Sequence, residues 1–346
     1  MKNTEEQILY MSRCLQLAKQ GSGYVAPNPL VGSVIVNDGI IIGEGYHQEF
    51  GGPHAEVRAI NSVGDKTLLA NSTLYVNLEP CSHQGKTPPC SSLIIQHKIP
   101  KVVIGMIDPF AKVNGNGIKQ LCDAGIEVVV GILEEECKHL NKRFITHQQK
   151  NRPYLILKWA QSADGFIGDE NDEVKISNAL SKIYSHKWRS EEAAILIGAN
   201  TAKIDNPQLN VREWEGPNPT RILFENNGNL PTNFNLFDGS QKTIVLSSNT
   251  TVIYPNTKMI HVEKESFIVD ALGKLADEGI QSIIIEGGRK TLQSFIDSNY
   301  WDEARVFQSE MEFERGVSAP ILRGTLTSTE KLKDNLLINY TNPNSL

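Results

Sequence analysis

No run of apolar residues in this chain approaches the roughly 20 needed to cross a bilayer as a helix. The opening Met1-Lys2-Asn3-Thr4-Glu5-Glu6 also lacks the apolar core of a signal peptide. A cytoplasmic location with no membrane partner is therefore expected. Cysteine is scarce and odd in number: Cys14, Cys81, Cys90, Cys122 and Cys137. In a long chain with no secretion signal, that points to a reducing compartment rather than a disulfide framework. Basic residues are outnumbered, 34 against 40 acidic, for a net charge of −6, and aromatics make up 7%. That balance argues against a broad footprint for nucleic acid, though not against a local basic pocket for one phosphate. No G-x-G-x-x-G follows any expected strand, so a standard Rossmann dinucleotide site is not expected. Internal repeats, low-complexity tracts and coiled-coil heptads are also missing. The length of 346 residues with 40% hydrophobic content is enough for about two globular domains.

What is there is a set of metal-ligating residues with a carboxylate among them: His54-Ala55-Glu56, then Pro80-Cys81, then Pro89-Cys90. A histidine and two thiolates hold Zn²⁺ and leave its fourth position to water, whose pKa the metal lowers to about 7. Glu56 follows His54 by two residues and can reach that position without ligating the metal. The pattern is that of zinc nucleobase deaminases, in which the glutamate is general acid and base. Here eight residues, 82–89, separate the cysteines, not the two of the nucleic-acid-editing form. A lone His-x-Glu means little, and two cysteines alone can be buried thiols. The context is harder to dismiss. A strand over 74–78 runs directly into Glu79-Pro80-Cys81, and a Gly51-Gly52-Pro53 turn delivers His54 to the start of an apolar-periodic run. Both ligand groups fall at expected helix starts, where the helix dipole favours thiolate.

Thr4 and Gln7 form an expected capping box, followed by Ile8, Met11, Leu15 and Ala18 at helical spacing. Strands are expected at 31–36 and 40–45, joined by an Asn37-Asp38-Gly39 turn. The pattern continues with a helix at His54, a strand at Thr73, a helix over 90–97, a strand over 101–106 and a helix over 117–124. A strand over 126–132 and a helix over 134–144 complete it. This alternation implies helices on both faces of a mixed sheet. A boundary falls near Lys150-Asn151-Arg152-Pro153, and we expect domains 1–146 and 147–346. The second half restarts with a strand over 154–159. Further strands are expected at 193–197, 221–224, 243–246, 259–262, 282–285 and 304–307. At 283–291 a buried strand, Glu286-Gly287-Gly288 and a helix follow one another. That junction reads either as a pyrophosphate cradle or as a plain tight turn.

The segments Pro27-Asn28-Pro29-Leu30-Val31-Gly32, Gly45-Tyr46-His47, His54-Ala55-Glu56 and the whole of 79–90 resemble the bifunctional riboflavin-biosynthesis deaminase/reductases, the RibD family. In the second half the resemblance continues through Lys158, Ser162-Ala163-Asp164-Gly165, Gly198-Ala199-Asn200-Thr201, Asp205-Asn206-Pro207, Leu209, Arg212 and Glu286-Gly287-Gly288. It implies an N-terminal cytidine-deaminase-like domain and a C-terminal dihydrofolate-reductase-like domain, both α/β. It implies Zn²⁺ in the first and NADPH, bound without a Rossmann fingerprint, in the second. The implied substrate is a phosphoribosylaminopyrimidine, deaminated first and then reduced from ribosyl to ribityl. By this resemblance His54, Cys81 and Cys90 are zinc ligands and Glu56 the proton shuttle. Asn28, His47, His83, Lys86 and Thr87 line the deaminase pocket, Lys86 facing the phosphate. Lys158, Glu173, Arg189, Leu209, Arg212 and Glu286 face the reductase's substrate. Ala160, Lys175, Thr201, Asp205 and the run Gly288, Arg289, Lys290, Thr291, Leu292, Gln293, Ser294 face NADPH. Glu173 and Lys175 stand where the family commonly has Ser and Trp. No nucleic-acid partner is implied, and a homo-oligomer is expected. Two other readings are weighed: a deaminase with a non-catalytic structural or oligomerisation module behind it, and a nucleic-acid-editing deaminase.

Overall fold

The computed structural model describes residues 5–82, 88–110, 114–168, 176–249, 251 and 253–345. Thr4 of the expected capping box lies outside them. Two compact units result, Met1–Asn151 and Arg152–Leu346.

The first unit runs α1 (Glu5–Lys19), β1 (Gly32–Asn37), β2 (Ile40–Tyr46), α2 (Ala55–Ser62), β3 (Thr73–Leu78), α3 (Cys90–Gln96), β4 (Lys101–Met106), α4 (Asn116–Asp123), β5 (Glu127–Val130), α5 (Glu134–Leu140) and α6 (Lys142–Lys150). Its sheet has the order β2-β1-β3-β4-β5. β1 is antiparallel to β2 and β3, while β3, β4 and β5 are parallel. Asp38 and Gly39, at φ 46° and 75°, turn β1 into β2 as the sequence predicts. Strand alternation sends Ile35, Leu74, Val76, Val102 and Ile104 to the face covered by α2, α3 and α4. Val34, Val36, Tyr75 and Val103 go to the face covered by α1 and α5. Each face thus buries its own apolar cluster, and the mixed sheet with helices on both sides is as expected.

The single helix expected over 134–144 is instead two, α5 and α6, broken at Asn141. Asn141 is buried, and its carboxamide reaches across the fold to the backbone of Leu30. The side chain's hydrogen bonds take precedence over helical continuity at that position.

The second unit runs β6 (Tyr154–Gln161), α7 (Ala179–Glu191), β7 (Ala194–Gly198), α8 (Ala199–Asp205), β8 (Thr220–Phe224), β9 (Thr243–Ser247), β10 (Lys258–His261), α9 (Phe267–Asp277), β11 (Ser282–Gly287), α10 (Arg289–Asp297), β12 (Glu303–Ser309), β13 (Thr325–Leu332) and β14 (Asn335–Thr341). The sheet order is β10-β9-β8-β7-β11-β6-β12-β14-β13. From β10 to β12 all pairings are parallel; β14 is antiparallel to β12 and to β13. The inner strands are near-continuous apolar runs because both faces are covered. α9 and α10 pack on one side with Leu155, Leu157, Ile283 and Ile285, and α7 and α8 on the other with Ile156, Ile195, Ile197 and Ile284. β13 and β14 were not expected from the sequence: seven of the eight β13 residues are exposed, so no alternation marks it. Among the described residues no helix is long and apolar enough to cross a membrane.

Candidate metal centre and candidate nucleotide cleft

In the first unit, β3 ends at Leu78 and delivers Cys81 to the mouth of the sheet. The 51–53 turn delivers His54 as the extended residue before α2, and Pro89 delivers Cys90 as the first residue of α3. His54 Nδ1 lies 3.3 Å from Cys90 Sγ and 3.6 Å from Cys81 Sγ. The three ligand atoms all fall within 4.8 Å of one another. A tetrahedral ion with Zn–S of about 2.3 Å and Zn–N of about 2.0–2.1 Å asks for N···S separations of about 3.5 Å. The donor set therefore fits zinc in both chemistry and spacing. The Cys90 backbone N–H donates to Cys81 Sγ at 3.3 Å. Hydrogen bonding from Cys90, then from His54, draws the Cys81 thiol down to about 4 against the effect of burial. The same contact with Cys81 raises His54 to about 9.

Glu56 sits in the first turn of α2, only 3% exposed. Burial, then the charge of Cys81, pushes its carboxyl up to about 7. A buried carboxyl so raised takes up a proton more readily than an exposed one. Asn28 and His47 are brought together next to His54. Asn28 Nδ2 donates to His47 Nε2 at 2.9 Å, and His47 Nδ1 donates to the Pro53 carbonyl at 3.1 Å. Both ring nitrogens are committed and burial lowers the pKa, so His47 is neutral in one tautomer. Its ring meets that of His54 edge-on at 5.7 Å. His83, Lys86 and Thr87 lie outside the described residues.

Three supporting residues escaped the sequence reading. Glu79 is buried and accepts four backbone N–H groups, from Asp108 (3.2 Å), Gly115 (2.9 Å), Gly117 (2.9 Å) and Ile118 (3.2 Å). It ties the start of α4 to the strand end carrying Cys81. Gly117 is required there: a Cβ would come within 2.0 Å of the Pro80 carbonyl. Asn77 and Asn141 hold Leu30 and Gly32, and so the strand that follows Asn28. Asn77 did leave a signal, a carboxamide inside the apolar run 74–78, since a buried polar group implies fixed partners.

In the second unit, Glu286 near the end of β11, Arg189 of α7 and Lys158 of β6 form one buried cluster. Arg189 Nε and Nη2 grip the two Glu286 oxygens at 2.8 and 2.7 Å, and Lys158 Nζ stands 3.6 Å away. Burial works against it, yet Arg189 and Lys158 hold the Glu286 carboxyl down at about 2. Burial lowers Lys158 in turn. Arg189 is therefore not a free phosphate anchor; its remaining contact is to the Asn210 carbonyl, at 3.2 Å. Arg212 is exposed, and Leu209 is buried on the same loop.

The residues matched to a nucleotide divide. Gly198 and Gly288 begin α8 and α10 side by side, and Thr201 Oγ1 accepts the Gly288 N–H at 2.8 Å. A Cβ on Gly198 would meet Thr291 Oγ1 at 2.4 Å, and one on Gly288 would meet Thr201 Oγ1 at 2.9 Å. The first bond inside α10 is Leu292 N–H to the Gly288 carbonyl. The N–H groups of Arg289, Lys290 and Thr291 precede it at the helix start, the arrangement that suits a diphosphate. Leu292, Gln293 and Ser294 do not join them by side chain. Leu292 is buried in the core, Gln293 bonds Ile321 and Asp297, and Ser294 bonds the Thr291 carbonyl. Ala160 lies on β6 opposite Phe307, and Asp205 ends α8. Glu173 and Lys175 lie outside the described residues.

Comparison with known proteins agrees with this division. Residues 4–106 match the cytidine and deoxycytidylate deaminase zinc-binding region, and residues 153–310 match the RibD C-terminal domain. The chain is 38% identical to the riboflavin biosynthesis protein RibD of Aquifex aeolicus over 331 residues, 94% of this chain and 92% of that one. It is 42% identical to the RibD of Synechocystis over 269 residues, covering 77% of this chain and 73% of the relative. Its structure is similar to that of the diaminohydroxyphosphoribosylaminopyrimidine deaminase/5-amino-6-(5-phosphoribosylamino)uracil reductase of Thermotoga maritima. There the TM-score is 0.91 at 38% identity, over 97% of this chain and 99% of that one.

Proposed function

The chain belongs to the RibD family of bifunctional deaminase/reductases of riboflavin biosynthesis, and from that premise we propose how its own residues share the two reactions. The observation that carries the proposal is the convergence of His54 Nδ1, Cys81 Sγ and Cys90 Sγ beside the buried Glu56.

In the first unit His54, Cys81 and Cys90 hold zinc. Bound there, zinc supplies a Lewis acid that makes hydroxide accessible at neutral pH. Glu56 takes the proton from the attacking water and hands it to the exocyclic amine, which departs as ammonia. Neutral His47 fixes the Asn28 carboxamide against the ring-binding side of the pocket, and Lys86 meets the substrate phosphate. The substrate is a diaminohydroxyphosphoribosylaminopyrimidine, as in the Thermotoga relative.

In the second unit the paired starts of α8 and α10 hold the diphosphate of NADPH, which supplies the hydride. Arg289, Lys290 and Thr291 give backbone N–H groups, and the Gly288 N–H, donated to Thr201, locks the two helix starts together. Lys158, lowered by burial and steered by Glu286, delivers the proton to the nitrogen of the opened sugar's C=N group, whose carbon receives the hydride. Arg189 serves by holding Glu286, and the exposed Arg212, whose Nη1 bonds the Gln208 and Asn210 side chains, meets the substrate phosphate.

Replacement of Glu56 by Gln keeps shape and removes the shuttle. General acid–base catalysis contributes about 10²–10⁴-fold, so ammonia release should fall by at least the lower figure with zinc content unchanged. Release at the wild-type rate would leave Glu56 a bystander and the zinc group without its acid.

A further inference from the structure

Arg212, which the proposed function places at the reductase's substrate, rides on a loop whose backbone is unfavourable at Leu209. Asn206 stands at φ 38° and Leu209 at φ 53°, in the left-handed region that a leucine rarely adopts. Within the loop the Arg212 guanidinium bonds the Gln208 and Asn210 side chains, and the bonds that fix its backbone come from outside it. Arg221, only 1% exposed and paired with Asp238 at 2.8 Å, donates from Nε to the Gln208 carbonyl at 2.9 Å. Gln241 Nε2 reaches the Leu209 carbonyl at 3.4 Å, and Arg189 Nη1 the Asn210 carbonyl at 3.2 Å. The Val211 N–H goes to Asn218 Oδ1 at 2.8 Å. The last bond is the Arg212 N–H to His186 Nδ1, at 3.1 Å.

His186 lies on α7, one turn before Arg189, and is 2% exposed. To accept a backbone N–H its Nδ1 must carry no proton. The groups around it enforce that: burial first, then the guanidiniums of Arg189 and Arg212, hold the ring down at about 4, outweighing Glu286 and Glu213. A buried neutral imidazole whose only described hydrogen bond is to the backbone of a substrate-facing arginine has a positional task. A backbone φ that its residue disfavours persists where the surroundings over-determine it, and such places cluster at ligand clamps.

We propose that His186 is a positioning residue for the reductase, accepting the Arg212 N–H so that the 206–212 loop presents Arg212 to the phosphate of the substrate. The inference rests on the reading of Arg212 as that phosphate's partner. It predicts an effect on capture of the phosphorylated substrate and not on hydride transfer. An interaction held equally in the bound and transition states changes KM and leaves kcat alone.

The test uses the full chain, the already deaminated substrate and NADPH. His186→Leu fills similar space with no acceptor; His186→Asn restores an acceptor where Nδ1 stood. His186→Leu should raise the KM for substrate roughly tenfold, the effect of one buried donor left unpaired. Its kcat should stay within about twofold and its NADPH affinity, read by fluorescence, should not move. His186→Asn should recover most of the loss. With the phosphate-free analogue, wild type and His186→Leu should react alike. Arg212→Ala should raise KM in the wild-type background and add little in the His186→Leu background. If Arg212→Ala leaves KM unchanged, the phosphate reading falls and the inference with it. If Arg212→Ala raises KM but His186→Leu does not, the positioning role alone is overturned. A His186→Leu effect shared by the phosphate-free analogue, spread equally over kcat and NADPH affinity, or not rescued by His186→Asn overturns it as well.

Discussion

At the scale of single residues, the chain separates groups that do chemistry from groups that hold them, and only the first kind was legible. His54, Glu56, Cys81 and Cys90 could be read because their element types and spacing are themselves the chemistry. Glu79 sat inside the same motif, yet its partners at 108–118 are 29 to 39 positions away. Asn141 is 111 positions from Leu30, and His186 is 26 from Arg212. A hydrogen bond across such separations leaves no periodic trace in one sequence. Glu79 offers a direct check of the supporting role. In Glu79→Gln one of the two oxygens becomes an NH₂, which faces N–H donors instead of accepting from them. Two buried N–H groups then lose their acceptor, at about 1–3 kcal/mol each, or roughly 5–20 °C in the melting of a unit this size. Because the same bonds fix the strand end before Cys81, the variant should also lose zinc faster to a chelator. Calorimetry and zinc release both at wild-type values would mean that Glu79 is a replaceable loop contact.

At the scale of elements, strands buried on both faces announced themselves as apolar runs, while a break inside a helical pattern and an exposed edge strand did not. The expected 134–144 helix fails at Asn141 because a tertiary hydrogen bond outranks local helical pattern there. The β13–β14 hairpin escaped because an edge strand exposed on nearly every residue carries no alternation to detect. The junction of β11 with α10 was visible as glycines after a strand, but a tight turn and a nucleotide cradle look the same in sequence. The structure adds that α8 begins beside it and that Thr201 bridges the two. This gives the cradle a test. Gly288→Ala would put a Cβ 2.9 Å from Thr201 Oγ1. The hydroxyl must yield, and the Gly288 N–H loses its acceptor. A net hydrogen bond of about 0.5–1.5 kcal/mol corresponds to about 2–13-fold in affinity. NADPH binding, measured by titration, should weaken by that order or more, with ammonia release untouched. Undiminished NADPH affinity would place the cofactor elsewhere on the second unit.

At the scale of the whole molecule, the chain is two cores on one covalent thread, each built round its own sheet. All three residues of the metal centre lie in the first core, and the Lys158, Arg189, Glu286 and His186 cluster lies in the second. Calorimetry of the full chain should therefore show two transitions that answer to different ligands. A ligand bound only by the folded state stabilises it by RT ln(1 + [L]/Kd). A zinc chelator should lower one transition and stop ammonia release, while reduction of the deaminated substrate continues; NADPH should raise the other. Acid should act on the second transition with a definite sign. Glu286 titrates at about 2 in the fold, below the ordinary 4.5, so its contribution is complete above 4.5 and fades as pH falls toward 2. His186 titrates at about 4, below the ordinary 6.5, so between 6.5 and 4 the unfolded chain takes up a proton that the folded one refuses. Both effects lower the NADPH-responsive transition as pH drops below 6.5, and the His186 part comes first. In His186→Leu that first part should vanish, leaving the midpoint flat until the carboxylate range is reached. A single transition that moves with both the chelator and NADPH would mean that the two cores do not melt independently. An NADPH-responsive transition that stays level between pH 6.5 and 4.5 in the wild type would show that the His186 ring is not held neutral by the fold.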